Sequence, residues 1–114
     1  MATLALQKIT TGSNNPSYVA AAAGGDEFPF LPNVFFGVKN GDASPHTVTI
    51  AANTTSLKTG VSAGTLTISD IVVSVPAGGE RIIGVPAAYA ASGVVSVTYD
   101  AVTSMTVAAQ YVSL

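Results

Sequence analysis

Residues 70–112 read DIVVSVPAGGERIIGVPAAYAASGVVSVTYDAVTSMTVAAQYV, and their pattern decides the fold. The stretch divides into short apolar runs separated by turn residues. Ile71, Val73 and Val75 alternate with Val72 and Ser74, and Pro76-Ala77-Gly78-Gly79 breaks the run. Residues 80–85 form a second run, closed by Pro86. Val95, Val97 and Tyr99 alternate with Ser96 and Thr98; Met105, Val107, Ala109 and Tyr111 alternate with Thr106, Ala108 and Gln110. Side chains along a strand point to opposite faces with a period of two, so each run has one face fit for a core. Evenly spaced runs rich in Val, Ile, Thr and Tyr predict an all-β chain, an antiparallel β-sandwich or barrel.

The preceding residues extend the pattern. Val34, Phe36 and Val38 share a face, and Val48 and Ile50 alternate with Thr47 and Thr49. Asn40-Gly41 tolerates positive φ, so residues 34–52 read as a hairpin with a wide turn at 40–45. Phe28-Pro29-Phe30-Leu31-Pro32 alternates aromatic and proline. Proline removes a ladder donor, so this is expected at an edge or in a packed loop, after a turn at 24–27. Leu4 and Leu6 share a face with Ile9 out of phase, which predicts an edge strand or an extended arm. Residues 17–23 read as a strand or an irregular segment, and 53–69 as a long loop with one short strand. Residues 86–91 fit one helical turn or a crossover loop, and the loop is the expectation. The sum is about seven or eight strands in one sandwich domain, the usual size for that fold. Residues 1–24 supply the arm and first strand region, and residues 25–114 the sandwich.

Composition limits the function. Of 114 residues, 48% are hydrophobic, enough for a core, and only 9% are charged, where about a quarter is usual. Either a neutral Thr-rich surface covers the outside, or much of it is buried against other subunits, since assembled interfaces deplete charge. The cations Lys8, Lys39, Lys58 and Arg81 are scattered and the net charge is −2, so no nucleic-acid footprint exists. The chain has no cysteine, which leaves no disulfide framework and no thiolate metal site. MATLALQKITTG has no basic region ahead of an apolar one, as a signal peptide requires, and the alanine run at 20–23 is too short to span a membrane. Cytoplasmic assembly, with no membrane partner, is the expectation.

A search for chemistry returns little. The one histidine, His46, has no partner evident near it in sequence and is expected exposed in a turn or at an interface. Asp26-Glu27 lacks the regular carboxylate spacing of a calcium loop. No Gly-x-Ser-x-Gly elbow occurs. Gly24-Gly25 and Gly78-Gly79 precede no helix and read as turns, not phosphate cradles. The expectation is a non-enzyme with no catalytic residue, metal or cofactor. Phe35 lies opposite Val34, Phe36 and Val38. An outward aromatic marks either an interface or a side chain covered by its own chain, from Phe28 or Phe30.

Three segments carry a resemblance: NVFFGVKNGDASPHTVTI (33–50), VSVPAGGERIIGVPAAYA (73–90) and GVVSVTYDAVTSMTVAA (93–109). Over residues 25–112 the chain resembles head decoration, or cement, proteins of tailed bacteriophages. The resemblance implies a jelly-roll-like sandwich that binds the outside of a capsid in many copies, with the major capsid protein as partner and a homotrimer as the assembled state. Leu4 and Leu6 of the arm, with Phe28, Phe30 and Phe35, are the candidate contacts to capsid or to a neighbouring copy. A head–tail joining or tail component, and a carbohydrate-binding or adhesin-like sandwich, are the alternatives.

Overall fold

Alternating burial runs through the long strands, as the period of two requires. The computed structural model describes residues 2–10, 12, 16–52, 56–58 and 65–112; of residues 56–58, 65–67 and 91 it describes the backbone alone. In chain order the strands are β1 (Ala2–Thr3), β2 (Leu6–Ile9), β3 (Val19–Ala20), β4 (Asp26–Pro29), β5 (Val34–Asn40), β6 (His46–Ile50) and β7 (Ser56–Lys58). They continue with β8 (Thr65–Thr67), β9 (Ile71–Val75), β10 (Glu80–Gly84), β11 (Ala90–Ala91), β12 (Val94–Tyr99) and β13 (Met105–Val112).

Two packed sheets hold the core. The first has the order β1-β4-β12-β6-β9, with β11 also on β12; the second runs β10-β5-β13-β2, with β3 also on β13. Phe28, Val48, Ile50, Val75, Val95 and Val97 face inward from the first sheet, and Val34, Phe36, Val38, Met105, Val107 and Ala109 from the second. Burying one such side chain contributes about 1.5–3 kcal/mol. Phe28 and Phe36 stack across the layers, with centroids 5.6 Å apart and planes 5° from parallel.

The all-β sandwich expected from the sequence is what forms, with revisions in detail. The sheets are mixed, because β1 runs parallel to β4 and β2 parallel to β13. Of the two expectations for the N-terminal stretch, the edge strand is the one realised. The backbone crosses from one sheet to the other at Leu4, whose amide donates to Glu27 O at 2.7 Å. The next donor in that parallel ladder would be residue 29, and Pro29 has none, so the pairing ends there and Leu4 turns into the core.

Asp26 and Glu27 belong to β4 and not to the preceding turn, and Phe28 sits in a strand flanked by β1 and β12. The interval 53–69 contains two short strands, β7 and β8, paired antiparallel; its remaining positions 53–55 and 59–64 lie outside the described residues. After Pro86, residues Ala87–Tyr89 take one 3-10 turn where a loop was expected. Proline's fixed φ suits the entry to such a turn. The Tyr89 hydroxyl donates to Ser69 O at 2.7 Å and ties the turn down.

The outer face of the second sheet is covered in part from within the chain, while Ile82 on β10 stays 68% exposed beside Gly37. Gln7 bonds both backbone groups of Ser17, Nε2 to the carbonyl and Oε1 to the amide, each at 2.7 Å. This places Tyr18 over Gly37, where an added Cβ would meet the phenol oxygen at 2.5 Å. Lys39 Nζ caps the ring at 4.1 Å from its centroid. Ala108 and Gln110 are buried although they point away from the core.

Candidate functional site

One end of the sandwich collects the polar groups that the sequence leaves scattered. The loop from β5 to β6 (residues 41–45) and the loop from β12 to β13 (100–104) both pass there from one sheet to the other. Gly41 N donates to Ser104 O at 2.9 Å and joins them. Asn40 shapes the first loop. Its Nδ2 donates to Ser44 O at 2.9 Å and Val75 O at 3.1 Å, and its Oδ1 accepts from Asp42 N at 3.0 Å. A buried amide with these partners is well satisfied, which fixes the turn.

His46 opens β6 inside this frame and is 7% exposed, which corrects the expectation of an exposed turn histidine without a local partner. Its Nε2 lies 2.9 Å from Oδ2 of Asp42, four residues upstream. Its Nδ1 lies 3.6 Å from Oδ1 of Asp100. Asp100 is itself anchored: Thr47 N donates to Oδ1 at 2.8 Å, and Asp100 N donates to Thr47 O at 3.1 Å. Ala43 N donates to Oδ1 of Asp42 at 2.8 Å. That bond, with the histidine, holds the Asp42 carboxyl below its ordinary value.

A second polar pair lies on the inner side of the same end. Asp26 is fully buried at the start of β4. Its Oδ2 accepts from the Tyr99 hydroxyl at 2.6 Å and from Ala22 N at 3.2 Å, while Oδ1 has no hydrogen-bond partner among the described residues. Burial, then the neighbouring carboxylate, pushes the Tyr99 phenol above its ordinary range.

The chemical capacity of this end is limited by access. A general base must present a free nitrogen to a substrate proton. Both nitrogens of His46 face carboxylates of the same chain, and the ring is nearly covered. Among the described residues no group of three or more His, Asp or Glu side chains is placed to hold a metal ion. A cleft of about 190 Å³ opens beside Leu4, Ala5, Gln7 and Val19, and a more open one of about 360 Å³ beside Asn40, Gly41, Gly79 and Glu80.

The candidate contact residues fall into two groups. Leu4 and Phe28 are core residues, and Leu6 and Phe30 pack against that core, so these four serve the fold first. Burial of Leu4 follows from the crossing between sheets, and burial of Phe28 from its stack on Phe36. Phe35 is half-buried on the outer face, beside Gly84 and Gln110 in register. Phe28 does not cover it.

The open surface lies elsewhere. Across the first sheet, Thr98, Thr49 and Val72 stand in one row and Thr47 and Ser74 in the next. No outer-face residue from β12 through β6 to β9 is charged, and Val72 is 65% exposed. Sequence reasoning anticipated a neutral Thr-rich surface but did not single out this face. Alternation marks it, since Thr47, Thr49, Val72, Ser74 and Thr98 are the off-phase residues of the core strands.

The chain matches no protein-family model, no curated protein sequence and no solved structure.

Proposed function

We propose that this protein is a structural virion component that binds the outside of a bacteriophage capsid in many copies and stabilises the shell. The observation that carries the reading is the uncharged outer face of β12, β6 and β9, with Val72 exposed on the edge strand β9. A flat, neutral sheet face desolvates at low cost against a partner, and charge depletion marks the cores of interfaces. The resemblance of residues 33–50, 73–90 and 93–109 to phage head decoration proteins supports the same role. It adds a homotrimer as the assembled state, the major capsid protein as partner, and assembly in the host cytoplasm. The work is mechanical: many modest contacts made together hold a shell that one contact does not.

The test is the mass and symmetry of the purified protein, followed by binding to empty capsid shells. A trimer that co-sediments with shells is the expected result. Val72→Glu, which puts a charge on that face, is expected to abolish co-sedimentation with the fold intact by circular dichroism. A monomer that ignores shells, or a larger closed ring, overturns the reading, the ring in favour of a head–tail joining role. Undiminished shell binding by Val72→Glu removes the face from the argument.

A further inference from the structure

We propose that His46 is a proton-dependent latch between the two crossover loops, with a constant arm to Asp42 and a switchable arm to Asp100.

The two arms differ in their chemistry. An ionised carboxylate only accepts hydrogen bonds, so a 2.9 Å contact with Asp42 Oδ2 places a proton on Nε2 of the ring. Asp42 stays ionised into acid, since the Ala43 amide and the ring hold it so. The Asp42 arm therefore forms whether the ring is neutral or charged. In the neutral ring Nδ1 then carries a lone pair. That lone pair faces Asp100 Oδ1, a second acceptor, at 3.6 Å, beyond hydrogen-bond length. Proton uptake at Nδ1 converts the facing lone pairs into a donor and an acceptor, and the arm closes. Imidazole is the side-chain type whose ordinary titration spans about pH 5 to 8.

The surroundings favour a device of this kind. The charged groups facing the ring are Asp42, from the β5–β6 loop, and Asp100, at the end of β12. From β9 the ring has Val75 in register, and from β5 the neutral Asn40, whose amide is occupied by Ser44 and Val75. On β12 the Tyr99 hydroxyl is committed to Asp26. Asp100 also receives the Thr47 amide, so drawing its carboxylate toward the ring tightens β6, β12 and the 100–104 loop together. The backbone reporter is Gly41 N on Ser104 O, the bond that joins the two loops.

Imidazole nitrogen shifts and amide hydrogen exchange, both by NMR on the full chain, test the latch. Above the ring's own titration, the nitrogen shifts are expected to show the Nε2–H tautomer. The Gly41 protection factor, corrected for intrinsic exchange, is expected to rise about two- to fivefold once the ring is protonated, the range for a partly exposed ion pair. Asp100→Asn keeps an acceptor for the Thr47 amide and is expected to abolish that rise while preserving the tautomer. This side chain is 51% exposed, so the variant tests the latch even if substitutions at His46 prevent folding. An Nδ1–H tautomer, protection independent of ring charge, or an undiminished rise in Asp100→Asn each overturns the proposal.

Discussion

The Tyr99 hydroxyl donates to Asp26 at 2.6 Å, and the carboxylate that receives it is fully buried. Without the phenol this carboxylate keeps only the longer Ala22 amide contact, and a buried acceptor left short of donors bears a desolvation cost, which is greater for a charged group. Tyr99→Phe is therefore expected to lower the free energy of unfolding by about 2–3 kcal/mol. Urea denaturation with an unchanged m-value measures it, and a loss below about 0.5 kcal/mol denies the bond its role.

The same pair sets the alkaline limit. The folded-state value of Tyr99 is raised, so its contribution is complete below the unfolded value of about 10. It is lost as pH rises, because the unfolded chain releases a proton that the folded chain retains. Wild type is expected to lose stability with pH above about 10 more steeply than Tyr99→Phe. Parallel curves contradict this.

Asp42 acts in acid with the opposite sign. Its folded-state value lies below the ordinary 3.8, so its contribution is present above that pH and is lost as pH falls through the folded value. Asp42→Asn is expected to flatten the acid limb of a thermal-stability profile below about pH 4. An unchanged acid limb argues against the carboxylate's part in the loop.

Gly37 is required by Tyr18. Gly37→Ala places a methyl 2.5 Å from the phenol oxygen, and the ring must swing off the sheet. The expected cost is about 1–2 kcal/mol. In a Tyr18→Ala background the same substitution is expected to cost nothing or to stabilise, since a glycine inside a strand is unfavourable on its own. Additive effects in this double-mutant cycle would separate the two residues.

The stack between Phe28 and Phe36 bridges the layers. Phe36→Ala is expected to cost about 3–5 kcal/mol, the range for truncating a buried aromatic. Thermal unfolding compared with Phe35→Ala, on the half-buried outer face, checks it. A greater loss at Phe35 than at Phe36 would mean that the inward and outward faces of β5 are reversed.

The inward faces of β5, β6, β9, β12 and β13 were legible because alternation is a local signal. Val34, Phe36 and Val38 declare a common side without reference to any partner. The N-terminal segment was less legible: Ala2–Thr3 and Leu6–Ile9 are strands because of what lies beside them, Asp26–Glu27 and Ala109–Val112. Ala108 and Gln110 lie beside the segment around Tyr18, ninety or more positions earlier in the chain. The polar end was half legible. Asp42 stands four residues before His46 behind an Asn-Gly turn, a spacing that can close on itself. Asp100 and the Asp26–Tyr99 pair reach their partners only through the order of strands in the first sheet, which no local pattern encodes.

The pairing of β2 with β13 has a temporal consequence. During synthesis Leu6–Ile9 is made about a hundred residues before its partner Ala109–Val112. Until then that stretch is an unmatched ribbon beside a sheet without its central member, since β13 also lies between β5 and β2. Closure of the sandwich is thus a late event governed by contacts of long sequence separation, which fold slowly. The nascent protein depends for that interval on nothing else nearby offering Leu6–Ile9 a matching edge.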